Sequence, residues 1–165
     1  MTKRIPLTHG KTALVDDSDY EALMQHKWFL SRGGYAIRHV WDGGKNRTEH
    51  MHRVVIGKDC EGFDVDHING DPLDNRRSNL RIATRAQNMA NARPHRDGTG
   101  YKGVTYDKRR KRYFARICQN YKQRFLGYYD TAEDAAKAYD AAAADAFGTY
   151  SRLNKNNKED YSNVK

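Results

Sequence analysis

The chain has 165 residues, and its 30 Lys and Arg against 21 Asp and Glu give a formal net charge of +9. That length suits one ordinary domain or, better, several small modules, and the cationic surplus favours a polyanionic partner through long-range attraction and counterion release. No apolar run approaches the roughly 20 residues that span a bilayer, "MTKRIPLTHG" lacks the apolar segment of a signal peptide, and Cys60 and Cys118 form no C-x-x-C pair. The expectation is a soluble, intracellular protein with no membrane partner, no disulfide framework and no thiolate zinc site.

The first segment alternates strand-like and helix-like pieces. "KTALVDD" reads as a strand and "DSDYEALMQHKW" as a helix, with Asp17 or Ser18 as its cap and Tyr20, Leu23, Met24 and Trp28 at helical spacing. "GYAIRHVW" and "EHMHRVVIG" read as strands joined by the turn "DGGKN", so a hairpin is expected, with His50 and His52 alternating on its second strand. Those histidines and Arg53 offer extra ligands or a phosphate contact, although a lone strand histidine is more often structural.

The stretch "DVDHINGDPLDNRRSNLRIATRAQNMAN", residues 64–91, orders acid, imidazole, amide and guanidinium groups in a way that solubility does not require. Asp66 and His67 end a short strand that begins near Phe63, and "NGD" makes a turn in which Gly70 takes positive φ. "LRIA" then forms a second strand. Thr84 and Gln87 form a capping box, which starts a helix at Arg85 and places Asn88 one turn inside it. Strand, loop, strand and helix thus carry a carboxylate, an imidazole and an amide.

Such a set suits phosphodiester hydrolysis. The reaction needs a base for water and a divalent cation beside the phosphate. His67 has the pKa range of the base, Asp66 and the Asn88 oxygen are hard ligands suited to Mg²⁺ or Mn²⁺, and Asn79 could orient the imidazole. A calcium loop fits poorly, because the glycine is out of step and no Glu closes the loop.

The segment "DHINGDPLDNRRSNLRIATRAQNMAN" resembles the ββα-metal motif of HNH endonucleases, in the phage and intron-encoded homing branch that lacks zinc-binding cysteines. The resemblance implies His67 as general base, Asn79 as the asparagine that positions it, and Asp66 with Asn88 as metal ligands. Asn88 stands where the family name expects His, and Arg85, one turn earlier, is placed to hold a phosphate oxygen.

"ANARPHRDGTG" then breaks the pattern. Beyond it "YKGVTYD", "KRYFARIC" and "QRFLGYYD" read as three strands, and "TAEDAAKAYDAAAADAFG" as a helix capped by Thr131 and Asp134 and stopped at Gly148. Residues 101–130 hold nine Lys and Arg against Asp107 and Asp130. In "KRYFARIC", Tyr113, Ala115 and Ile117 should meet the helix, leaving Arg112, Phe114, Arg116 and Cys118 on an outer, cationic face suited to a DNA groove.

"YKGVTYDKRRKRYFARI", "LGYYDTAEDAAKAYD" and the later "LN" resemble the APETALA-type, or ethylene-response-factor, DNA-binding domain, which also occurs fused to phage HNH nucleases. That implies a sheet in the major groove backed by the helix. Lys102, Arg112 and Arg116 fall at its DNA-contacting positions, and Arg109 and Arg124 complete the candidate set. Thr105, Cys118 and Phe125 depart from the family pattern, so the plant sequence preference does not carry over.

The expected fold is α+β. An N-terminal α/β extension with the ββα-metal motif (1–92, motif 63–92) is followed by a linker (93–100), a three-stranded antiparallel sheet packed on one helix (101–154) and a polar tail (155–165). The expected activity is metal-dependent cleavage of double-stranded DNA by a monomer or homodimer in the cytoplasm of a phage-infected or bacterial cell. A DNA-binding regulator with an idle nuclease fold is the alternative, and an RNA-directed protein is disfavoured because the major groove of RNA is too narrow for a sheet.

Overall fold

The computed structural model describes residues 1–93, 98–119 and 122–154. Pro94, within the expected linker, and the expected polar tail lie outside the described residues. The chain divides into two compact units, Met1–Thr84 and Arg85–Lys165.

In the first unit, β1 (Thr2–Pro6) and β2 (Thr12–Asp16) pair antiparallel and lead into helix α1 (Asp17–Met24). Sequence pattern missed β1, because Ile5 is its only buried side chain. Neither Asp17 nor Ser18 caps α1. Asp16 occupies that position without a side-chain cap bond, while Asp17 pairs with Lys3 at 2.8 Å. The helix also stops at Met24, short of Trp28, whose indole donates back to the Leu23 carbonyl at 2.8 Å and so joins the core by another route.

Strands β3 (Phe29–Leu30), β4 (Ala36–Asp42) and β5 (Lys45–His50) form an antiparallel sheet in that order. The chain then departs from expectation. "MHRVVI" is not a strand continuing from β5 but helix α2 (Met51–Ile56). Its β-branched residues favour a strand locally, yet helical spacing turns Met51 and Val55 together into the core, and that burial outweighs propensity. Beyond α2, β6 (Asp64–His67) and β7 (Leu80–Ala83) pair antiparallel, with Asp66 opposite Arg81 and His67 opposite Leu80. Ile5, Val15, Leu23, Trp28, Met51, Val65 and Leu80 share one core, so β1, β2, α1 and α2 each contribute to the same core as the β6–β7 ribbon.

The second unit begins with helix α3 (Arg85–Asn91) and continues with β8 (Val104–Asp107), β9 (Arg112–Gln119) and β10 (Lys122–Tyr129), in spatial order β10-β9-β8, and helix α4 (Ala132–Phe147). Thr131 accepts a hydrogen bond from the Asp134 amide at 3.1 Å, capping α4, and Gly148 ends it at φ 54°. Val104, Ala115 and Ile117 share a core with Ala135, Ala136, Tyr139 and Ala143 of α4. Alanines there bring the helix close to the strands. Among the described residues no helix is long and apolar enough to cross a membrane.

Candidate functional site

The loop between β6 and β7 is polar in composition and buried in fact. Asp66, His67, Asp74, Asn75 and Asn79 are all less than a tenth exposed. Burying such groups costs free energy unless they are bonded, and the structure bonds the side chains of Asp66, Asp74 and Asn79 while leaving the Asn75 side-chain amide without a hydrogen bond. The Leu14 amide donates to the Leu73 carbonyl and the Asn75 amide to the Leu14 carbonyl, both at 2.8 Å, stitching the loop to β2. Arg76 holds Asp74 through two bonds of 2.7 and 2.6 Å, which keeps that carboxyl below its ordinary pKa, and Arg77 reaches Asp19 on α1 at 2.7 Å. Gly70, at φ 73°, closes the turn after His67.

Within this frame Asn79 acts on the loop rather than the imidazole. Its amide nitrogen donates to the Asn69 side chain at 3.0 Å and to the Asp74 carbonyl at 2.8 Å, and its oxygen accepts from the Asn69 amide at 3.0 Å. With both donors committed, Asn79 holds the chain that follows His67, and the direct bond to the ring expected from sequence is not made. The amide that faces His67 is Asn75, which favours the protonated ring. Neither Asn75 side-chain atom completes a hydrogen bond of ordinary geometry, so its influence is that of a nearby dipole.

Three imidazoles, that of His67 among them, and one phenol meet here. The rings of His52 and His67 lie edge to face with centroids 5.1 Å apart, His50 stacks obliquely on His52 at 5.2 Å, and Tyr35 touches all three at 5.6 to 6.0 Å. Burial lowers the pKa of each histidine below 6.5, that of His52 to about 3. His52 arrives here because α2 turns it inward beside Met51. On the strand expected from sequence it would share a face with His50, so its contact with His67 was not legible. Arg53 spends its guanidinium on the carbonyls of Phe63 and Cys60, at 3.0 Å each, and so braces the approach to β6 rather than waiting for phosphate.

Asp66 lies beside His67 and directly opposite Arg81, whose Nε and Nη2 meet the same carboxylate oxygen at 2.8 and 2.7 Å. Sequence reasoning missed this pair, because cross-strand register depends on the length of the intervening turn. Among the described residues no group of three His, Cys, Asp or Glu is arranged to hold a metal ion. Asp66 offers one hard oxygen donor of the kind a divalent cation takes together with water and phosphate.

Arg85 and Asn88 belong to the second unit, one turn apart on α3, with Asn88 half-buried. In the same unit Arg85 and Arg116 both line a groove of about 840 Å³, whose lining also includes Arg93, Lys102 and Lys108 and no carboxylate. The strand register sorts the remaining cations. Arg116 pairs with Phe125 and Thr105 with Phe114, on the face away from α4, where Phe114, Phe125 and Tyr128 cluster and Arg116 lies over the Phe114 ring at 5.8 Å. Arg112 is on this face too, paired with Asp130 at 2.9 Å, and Arg109 lies in the β8–β9 turn, its amide bonded to Asp107. Arg124 is opposite Ile117, and so belongs to the other face. Lys102 precedes β8 and directs its ammonium to backbone carbonyls at the end of α3.

Comparison with known proteins locates two family matches. Residues 49–90 match the HNH endonuclease model and residues 99–148 the AP2 domain. The chain is 29% identical over 151 residues to an uncharacterized HNH endonuclease of Acanthamoeba polyphaga mimivirus, covering 88% of this chain and 76% of the relative. It is 35% identical over 66 residues to the DNA endonuclease I-HmuI of Bacillus phage SP01, 38% of each protein, and 31% identical over 80 residues to Protein 3.8 of Escherichia phage T7, 48% of this chain and 66% of the relative.

Proposed function

We propose, from the premise that this chain joins an HNH endonuclease domain to an AP2 domain, that it is a metal-dependent DNA endonuclease of the homing or mobile-element type. The reading assigns residues 1–92 to the nuclease and residues 101–154 to the DNA-binding domain, a sheet backed by one helix, joined by residues 93–100. The observation that carries it is the placement of His67, buried at the end of β6 between Asp66 and the ring of His52, inside the HNH match.

His67 takes a proton from a water molecule as that water's oxygen bonds to phosphorus. The bond from phosphorus to the 3′ oxygen breaks and that oxygen takes a proton from solvent water, leaving a 5′ phosphate and a 3′ hydroxyl. Burial supports this role by lowering the ring's pKa, which favours the neutral form at neutral pH. Asp66 and Asn88 would hold Mg²⁺ or Mn²⁺, which when bound supplies positive charge beside the scissile phosphate. Asn79 fixes the loop behind His67, Asn75 faces the ring, and Arg85 holds a phosphate oxygen. Arg112 and Arg116 present guanidinium groups to a duplex, aided by Arg109 in the adjoining turn.

One observation favours a second reading, a DNA-binding regulator with an idle nuclease fold: the Asp66 carboxylate is engaged by Arg81. Supercoiled plasmid incubated with wild type or His67→Ala, in Mg²⁺, Mn²⁺ or EDTA, separates the two. The endonuclease converts plasmid to open-circular or linear DNA only with metal and only with His67. Intact plasmid in both metals, together with retained DNA binding, leaves the regulator standing. Open-circular product alone identifies a nickase.

A further inference from the structure

The ammonium of Lys102 donates to three backbone carbonyls in one place, Met89 at 3.0 Å, Ala90 at 2.6 Å and Ala92 at 2.8 Å. These lie at the C-terminal end of α3 and just beyond it, where a helix leaves its last carbonyls without internal partners. A lysine has three N–H donors, so this geometry employs all of them. The Arg152 amide donates to the Ala90 carbonyl at 3.0 Å, adding a fourth bond to the same helix end.

The anchor is itself fixed. Asn154, 3% exposed, accepts from the Lys102 amide at 2.7 Å and donates to the Lys102 carbonyl at 3.2 Å, clamping the backbone of Lys102 on both sides. The Asn154 amide in turn donates to Asp140 of α4 at 2.7 Å. A chain of hydrogen bonds thus runs from α4 through Asn154 and Lys102 to the end of α3. A seven-residue helix is marginal alone, so its order must come from such partners.

We infer that Lys102 is a positioning residue for cleavage: it caps α3 from within the AP2 module and so holds the helix that carries Asn88 and Arg85. The inference rests on the reading of Asn88 as a metal ligand. The AP2 module then has two duties, presenting the outer face of its sheet to DNA and ordering α3, and Lys102 serves the second.

The test uses the full chain with Lys102→Met, Lys102→Arg and Asn88→Ala, reading hydrogen exchange in peptides covering residues 85–92, duplex affinity, and the Mg²⁺ concentration for half-maximal plasmid cleavage. Lys102→Met should speed exchange in α3 at least tenfold, leave α4 exchange and duplex affinity within twofold of wild type, and raise the Mg²⁺ requirement severalfold. Lys102→Arg, whose fork can still reach the carbonyls, should restore most of each. Unchanged α3 exchange with weakened duplex binding makes Lys102 a phosphate contact and overturns the inference, as does equal loss of protection in α4. If Asn88→Ala leaves the Mg²⁺ requirement unchanged while Lys102→Met still loosens α3, the ligand reading fails and the cap stands.

Discussion

The rings of His52 and His67 meet at 5.1 Å with their planes 89° apart, one on helix α2 and the other at the end of β6. His52 forms a wall against which His67 is oriented. His52→Ala should therefore lower the rate of metal-dependent plasmid cleavage about tenfold, the lower end of what loss of a supporting residue costs, with duplex affinity unchanged. His52→Phe, which keeps a ring in place, should recover most of the rate. Equal activity for the alanine variant and wild type would remove His52 from the site.

The same contact makes stability sensitive to acid. Burial drops the pKa of His52 from 6.5 to about 3, so between those values the unfolded chain binds a proton that the folded chain refuses. Stability from this group is complete above about pH 6.5 and declines as pH falls toward 3, by about 1.4 kcal/mol per pH unit. Urea unfolding in EDTA between pH 4.5 and 7.5 should show His52→Phe with a slope shallower by close to one proton. An unaltered slope would mean that His52 is hydrated in solution.

Arg81 holds Asp66 across the ladder. A cation at Asp66 must share the carboxylate with that guanidinium. Arg81→Met should reduce the Mg²⁺ concentration needed for half-maximal cleavage, while destabilising the first unit by about 3 kcal/mol in metal-free buffer, because the buried carboxylate loses the Arg81 guanidinium. A higher Mg²⁺ requirement would show that Arg81 orients Asp66 for the cation.

Gly103 has no room for a side chain. Its φ is +74°, and a Cβ there would strike the Tyr139 ring and lie 2.8 Å from the Arg116 carbonyl. Strain from positive φ and overpacking together make Gly103→Ala destabilising by about 3 kcal/mol. Thermal unfolding should show the transition of the second unit moving down while His67→Ala leaves it in place.

The two faces of the β8–β10 sheet should differ in their response to DNA. Arg116→Ala, on the face with Phe114 and Phe125, should weaken duplex binding by about 1 to 3 kcal/mol and flatten its salt dependence. Arg124→Ala, on the opposite face beside Ile117, should change affinity by less than twofold. Anisotropy titrations at several salt concentrations check both, and equal losses would mean that the outer face alone does not meet DNA.

Much of this was readable as pattern. The strand ending at His67, the helix beginning at Arg85, the Thr131 cap and Gly148 stop of α4, and the alternation on β9 all express local chemistry with a short period. What failed were segments where local preference and burial disagree. "EHMHRVVIG" has strand-forming residues but folds after His50 as a helix, and only the core that receives Met51 and Val55 decides that. Asp17 carries a capping residue type, but Lys3, fourteen positions away, claims it.

By itself the sequence determined the succession from β6 to α3 and from β8 to α4, the cationic character of the second module and the set of groups available to the site, because these depend on side-chain type and spacing within a few residues. Tertiary structure alone decided which groups meet. The β6–β7 register set Arg81 on Asp66, the turn of α2 set His52 against His67, the loop's attachment to β2 drew Asn79 away from the ring and put Asn75 toward it, and Asn154 delivered Lys102 to α3. Each joins residues whose separation along the chain carries no periodic signal, and packing and the bonding of buried polar groups set most of them, whereas Asn75 faces the ring without completing a hydrogen bond.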